Sequence, residues 1–420
     1  MPSSRIDPIA ARAFAVEVIE KLRQGGYEAV WAGGCVRDQL LDRVPLDYDV
    51  ATAARPDAVR NIFGRRNTIA VGAAFGVITV IGSKDTGNVE VATFRSDAEY
   101  VDGRHPVGVT FCGAQEDALR RDFTINGLFF DPTAGNVIDY VGGQQDLSEG
   151  VVRAIGNPIM RFEEDHLRML RAIRFSANFE FPIESNTRKA IVLLARKVES
   201  VSPERLAAEL RLMFSRQGRG EALRLLVNTN LIHPLFGNRF KRSETFLSSV
   251  SDTLDAMKKP NISSAIAVLC YEKPRLAAEI SKHLRLSNHE RKLAVWLIEA
   301  VMVLGSGSFS RQHGNMPWSV LQPWLAHEWR FQLIDVMRSL AVINLFSTES
   351  VDWVSEQVHR NDADLNPPQL LRGNDLMQLG VPSGPAIGKL LGHLRDLQLD
   401  GKITSRESAI KWIEQHSGSD

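Results

Sequence analysis

Gly33-Gly34-Cys35-Val36-Arg37-Asp38, followed by Asp47-Tyr48-Asp49, places a glycine turn and two closely spaced carboxylates in one short stretch. Two glycines let the backbone approach an anion closely and turn its N–H groups toward it, and Arg37 adds a guanidinium donor. Asp47 and Asp49 are two residues apart, so on a strand both carboxylates project into the same space. Carboxylates so placed hold divalent metal against phosphate groups, the usual arrangement for an in-line displacement at phosphorus. Each half alone is common, since Gly-Gly is often only a turn and Asp-x-Asp is often solvated. Their order and spacing together predict nucleotidyl transfer.

Three later segments carry matching chemistry. In Arg120-Arg121-Asp122 the adjacent guanidinium groups suit phosphate and ribose oxygens, while Asp122 can orient one of them or accept from a sugar hydroxyl. The alternative is a solvated helix turn. The segment 163–175 has Leu167, Leu170, Ala172 and Ile173 on one side, which predicts a helix with Asp165 and Arg168 as surface neighbours and Arg171 and Arg174 continuing a basic stripe. A carboxylate beside a guanidinium offers an acceptor next to a donor. Cytosine and adenine present an amino donor next to a ring-nitrogen acceptor, and uracil and guanine present the reverse, so one Asp-Arg pair can accept C and A and reject U and G. A plain i,i+3 salt bridge is the other reading. Glu90 is an acid in the otherwise apolar run 89–94, which predicts a third active-site carboxylate, able to ligate metal or assist deprotonation of an attacking hydroxyl, or else a solvated strand edge.

The elements that must position these residues divide the chain in two. Apolar residues at mostly helical spacing predict a helix over 8–24, stopped by Gly25-Gly26 before a strand at 29–32. Further strands are expected at 68–71, 76–81 and 89–94, with a short one after Asn136, and the intervening stretch 96–109 has loop composition. Beyond about residue 158 nearly every segment reads as helix, with no internal repeat at a fixed period. Breaks near Gly218-Arg219-Gly220, Lys259-Pro260, Gly305-Ser306-Gly307 and Asn366-Pro367-Pro368 subdivide the helical part.

The bulk numbers exclude several classes. With 420 residues, 44% hydrophobic and 24% charged, the chain is long enough for two to four ordinary domains and has the composition of a soluble globular protein. Lys plus Arg balance Asp plus Glu at 50 each, so a nucleic-acid partner must meet a local basic surface. The region 188–242 offers one, including Arg188, Lys189, Arg196, Lys197, Arg219 and Arg242, although helix-face solvation accounts for part of it. Cys35, Cys112 and Cys270 lack metal-ligand spacing and suit a reducing compartment, so a cytoplasmic location is expected. The first residues lack an apolar signal region and the longest apolar run, 293–304, is interrupted by Glu299, so no membrane role is expected. Trp318, Trp324 and Trp329 are expected in the helical core.

Taken together, the glycine turn with Asp47-x-Asp49, Arg120-Arg121-Asp122, and Glu164-Asp165-x-x-Arg168-x-x-Arg171-x-x-Arg174-Phe175 make the chain resemble the class II tRNA nucleotidyltransferases, the CCA-adding enzymes, and the bacterial poly(A) polymerases that share their catalytic domain. The resemblance implies an α+β protein, with an N-terminal polymerase-beta-like α/β head at 1–157 followed by an all-helical neck at 158–217, body at 218–345 and RNA-binding tail at 346–420. It implies magnesium at Asp47 and Asp49, with Glu90 a candidate third carboxylate, and triphosphate contacts from Gly33, Gly34 and Arg37. Arg121 and Asp122 would meet ribose and phosphates, Asp165 and Arg168 would read the base, and Arg171 and Arg174 would support the nucleotide pocket. The stretch 100–106 resembles the family's flexible loop. The implied reaction is template-independent addition of CCA to the tRNA 3′ end from CTP and ATP, with no obligate protein partner. Residues 71–78 resemble the CCA-adding branch more than the adenylating one. Poly(A) synthesis or addition of CC or A alone is the near alternative; a small-molecule nucleotidyltransferase or a non-catalytic RNA-binding protein is the distant one. No His-Asp phosphohydrolase signature is found in the C-terminal half.

Overall fold

The computed structural model describes residues 6–45, 47–97, 109–237, 239–305, 316–345 and 347–417. The loop expected at 100–106 lies outside the described residues. The chain forms two units, Met1–Met213 with Glu221–Asn238, and Phe214–Gly220 with Arg239–Asp420.

The first unit begins with α1, Pro8–Gln24, whose start is fixed by the Asp7 side chain accepting from the Ile9 N–H at 3.0 Å and by Pro8 in the first turn. Ala11, Ala15, Val18, Ile19 and Leu22 form its buried stripe, while Ile9 is exposed. Next come β1 (Ala29–Ala32), α2 (Gly34–Leu40), β2 (Asp49–Thr52), α3 (Pro56–Phe63), β3 (Thr68–Ile69), β4 (Val77–Val80) and β5 (Val89–Thr93). A small ribbon of β6 (Arg95–Asp97) and β7 (Val109–Phe111) leads to α4 (Ala114–Leu119), β8 (Phe129–Asp131), β9 (Asn136–Ile138) and α5 (Gly143–Glu149).

Seven strands form one sheet in the order β3-β4-β5-β2-β1-β8-β9. Only the β2–β5 pair is parallel, with Asp49 in register with Glu90. Every residue of β1 is buried, as expected of a central strand. Val30, Ala32, Ala51 and Phe129 pack with Ala114 and Ala118 of α4, so the alternate residues Trp31, Val50 and Phe130 belong to the opposite face. The strand expected at 68–71 stops at Ile69, because the chain turns through Gly72 and the short 3-10 turn Ala73–Phe75 before Gly76, which has φ +80°.

The remainder of the first unit is helical: α6 (Pro158–Glu164), α7 (Leu167–Phe179), α8 (Ser185–Leu194) and α9 (Pro203–Phe214). The second unit is built from helices throughout its described residues, with a separate small core of Leu371, Leu376, Val381, Leu394, Ile403, Ala409 and Ile413 near its end. Two arginines of the expected basic surface serve its interior instead. Arg219 is buried and donates to the carbonyls of Leu254, Asp255 and Met257, where the helix Glu244–Ala256 ends. Arg242 does the same for Leu269 and Tyr271 after the helix Ile262–Leu269. Cations at helix C-termini satisfy the last carbonyls and complement the dipole, so both take part in holding the helix ends. The tryptophans also differ from the core expectation. Trp324 and Trp329 pack with Trp296 around His327 but stay half-buried, and Trp318 stands apart, beneath Arg360 at 5.5 Å.

Candidate active site

The β2–β5 register sets Asp49 beside Glu90 on the face of the sheet that α4 partly covers, and Asp47 lies just before β2. Desolvation by the surrounding protein, then the charges of Asp47 and Glu90, push the Asp49 carboxyl up to about 6, while Arg121 pulls the other way; the residue nonetheless reaches solvent. Asp49 therefore feels both of the other acids, with Arg121 opposing them. Hard oxygen donors crowded together are the donor set that suits a divalent cation. Among the described residues no group of three or more His, Cys, Asp or Glu side chains is arranged to hold a metal ion.

Arg121 is held by Asp117, whose Oδ2 accepts from Nε at 3.2 Å and Nη2 at 2.9 Å, and its guanidinium lies over Phe129 at 5.0 Å. Gly33 has φ +70°, so the turn favours glycine there, and a Cβ would sit 3.0 Å from Arg121 Nη1. Gly34 opens α2, beside the Arg37 guanidinium. Arg37 is buried: Nη1 donates to Asn126 Oδ1 at 2.6 Å, Nε and Nη2 donate to Asp38, and the plane lies over Phe179 at 4.6 Å.

Asp122 links this head region to α7. Its Oδ1 accepts from the Phe123 N–H and Asn126 Nδ2, and its Oδ2 accepts from Arg171 Nε at 2.7 Å. Burial works to raise the carboxyl, but Arg171 and Asn126 hold it down at about 2. Arg174 donates to Glu209 Oε2 at 2.7 Å, Arg171 lies 3.7 Å from Glu209 Oε1, and both guanidinium groups stack near Phe175.

Asp165 and Arg168 do not pair with each other. The expected single helix breaks at Asp165, which is extended (φ −149°, ψ 104°), and its Oδ1 accepts from the Leu167 N–H, leaving α7 to start afresh. Asp165 Oδ2 then accepts from Arg205 of α9 at 2.7 Å, while Arg168 Nη1 donates to Glu164 at 2.6 Å. Each member of the proposed base-reading pair thus has its own holder.

The residues singled out in sequence gather into two groups: Gly33, Asp47, Asp49, Glu90 and Arg121 around the start of the interior strand β2, and Asp122, Arg171 and Arg174 along α7, with Arg37 reaching from α2 toward the second. Asp117, Asn126, Arg205 and Glu209 were missed. Asp117 could have been found, since it precedes Arg120 and Arg121 by one helical turn. Arg205 and Glu209 meet partners 35 to 40 residues away and leave no local signal.

Residues 29–153 match the family described as poly A polymerase head domain, and residues 180–238 match the one described as a probable RNA and SrmB binding site of polymerase A. A CCA-adding enzyme of Lactobacillus johnsonii is 31% identical over 94% of this chain and 95% of its own length. One of Anoxybacillus flavithermus is 36% identical over 94% and 95%. Among solved structures, the Bacillus stearothermophilus CCA-adding enzyme in complex with CTP aligns with a TM-score of 0.75 at 26% identity, covering 96% of each chain.

Proposed function

Since this chain belongs to the family of CCA-adding enzymes, we propose that it adds C, C and A to the 3′ end of tRNA from CTP and ATP without a nucleic-acid template. The observation that carries this reading is the joining of an acidic pair at the start of two interior strands, Asp49 beside Glu90, to the α7 network through Arg121, Asp117 and Asp122. The RNA 3′-hydroxyl attacks the α-phosphorus in line, a new phosphodiester forms, and the bond to pyrophosphate breaks. Magnesium held by Asp47 and Asp49 would neutralise charge on the phosphates and favour the ionised hydroxyl. Glu90 stands next to Asp49 to take the hydroxyl proton or complete the donor set. Gly33 and Gly34 let the triphosphate approach the backbone. Arg121, fixed by Asp117, presents its remaining donors to the phosphates, and Arg37 and Asp122 hold the floor of the pocket. Asp165 and Arg168 offer acceptor and donor to the base, held by Arg205 and Glu164.

The head at 1–157, neck at 158–217, body at 218–345 and tail at 346–420 are our division of labour, with the helical parts holding tRNA. Cys35 and Cys270 are buried free thiols, which supports a cytoplasmic location. Among the described residues no helix is long and apolar enough to cross a membrane.

The test supplies magnesium and tRNA ending at the discriminator base, at CC or at CCA, with CTP, ATP or both, and reads product length at single-nucleotide resolution. Growth by CCA followed by arrest is expected. CC or A alone would make it a partial enzyme, an adenosine ladder a poly(A) polymerase, and no extension would overturn the reading.

A further inference from the structure

Asp47 lies outside the sheet ladder. The β1–β2 register ends at Trp31 opposite Val50, and the β2–β5 register begins at Asp49, so strand pairing does not fix the residue before it. The side chain between the two acids is Tyr48, only 4% exposed, and alternation turns it away from the acids, into the opposite face of the sheet. There its ring meets Trp31 at 4.8 Å; Trp31 is 0% exposed and stacks on Phe130 of β8 at 5.7 Å, with the Arg12 guanidinium of α1 over it at 5.3 Å. Trp31 Nε1 is buried without a hydrogen-bond partner among the described residues. An indole kept there at that cost contributes ring area, and the area it contributes is the wall against which Tyr48 packs.

We propose that Tyr48 is a positioning residue, anchored on the Trp31–Phe130 stack, that holds Asp47 beside Asp49 and so sets the affinity of the acidic site for divalent cation. This rests on the catalytic reading of those acids. The ring does the anchoring, since no hydrogen bond of the Tyr48 hydroxyl is found among the described residues. Removing the ring frees Asp47 while the ladder keeps Asp49 and Glu90 in register.

The experiment titrates Mn2+ onto the metal-free full-length protein, following the free ion by electron paramagnetic resonance, for wild type, Tyr48→Phe and Tyr48→Leu, and measures tRNA affinity by filter binding in parallel. Tyr48→Phe should bind Mn2+ as wild type does. Tyr48→Leu should bind it about tenfold more weakly, with tRNA affinity unchanged and the half-saturating magnesium for nucleotide addition raised by the same factor. If Tyr48→Leu is poorly folded, Trp31→Phe takes its place, with a weaker loss of Mn2+ affinity expected. Wild-type Mn2+ affinity in Tyr48→Leu, or in Trp31→Phe where it replaces it, or an equal loss of Mn2+ and tRNA affinity in that variant, would overturn the proposal. Because metal binding is read without turnover, a wild-type protein that binds Mn2+ but extends no tRNA would count against the proposed function and leave this result standing.

Discussion

Asp49 holds its proton far more tightly than an ordinary carboxylate, up to about 6, because it is desolvated and faces Asp47 and Glu90. A raised carboxyl stabilises the fold only while protonated, so this contribution is present below the ordinary carboxylate range and is lost as pH rises through about 6. Metal-free Asp49→Asn should therefore unfold at a higher temperature than wild type at pH 7 to 8, with the difference vanishing near pH 4, as read by scanning calorimetry. Activity follows the opposite sign, since ligation needs the ionised acid. The acid limb of the rate profile should fall near pH 6 and move lower as metal concentration rises, and Asp49→Asn should lose on the order of 10³-fold in kcat. Glu90→Gln separates the two readings of that residue: a loss of roughly 10 to 10²-fold in single-turnover rate is expected of a proton acceptor or ligand, and full turnover would make it a solvated strand residue.

At the scale of elements, α7 is tied to Asp122 by Arg171 and to α9 by Glu209, while Arg205 of α9 holds Asp165 between α6 and α7. Asp122 is buried and its carboxyl is held at about 2, so its contribution is present above the ordinary carboxylate value and is lost as pH falls toward 2. Asp122→Asn should cost about 2 kcal/mol at pH 7 and little at pH 2, seen as a shift in the denaturation midpoint of the first transition. Arg205→Ala frees Asp165 without touching Arg168, so discrimination of CTP against UTP should fall about tenfold in competition assays while tRNA affinity holds. Much of this architecture was legible locally. The helix at α1, the β1 strand and its glycine turn follow from spacing and punctuation. The strands β2 and β8 were harder, being three or four residues long with no room for alternation to show. The break at Asp165 was hidden because acidic residues are ordinary on a helix surface, and only the extended backbone of Asp165 and the Leu167 N–H bonded to its side chain reveal that one helix ends and another begins. Arg205 and Glu209 were illegible for a different reason: each looks like an ordinary exposed helix charge until the fold brings its partner to it.

For the whole molecule, Lys and Arg balance Asp and Glu at 50 each, so no global field draws an RNA toward the protein and attraction must come from local cations. Position in sequence does not identify them, because Arg219 and Arg242 donate to helix-end carbonyls and Arg205 holds Asp165. In the first unit, Arg188 and Lys189 on α8 and Arg196 and Lys197 in the turn after it are all exposed. Each such cation on a phosphate releases about 0.7 to 0.9 counterions, so replacing all four with Ala should lower the slope of log K against log salt by roughly 3 if every one touches the RNA backbone. The nucleotide-addition rate at saturating tRNA should stay at the wild-type value. Filter binding between 50 and 300 mM salt reads the slope directly. An unchanged slope would mean that this face is solvated and that the phosphates are met elsewhere, and a slope reduced by about 1 would leave a single contact.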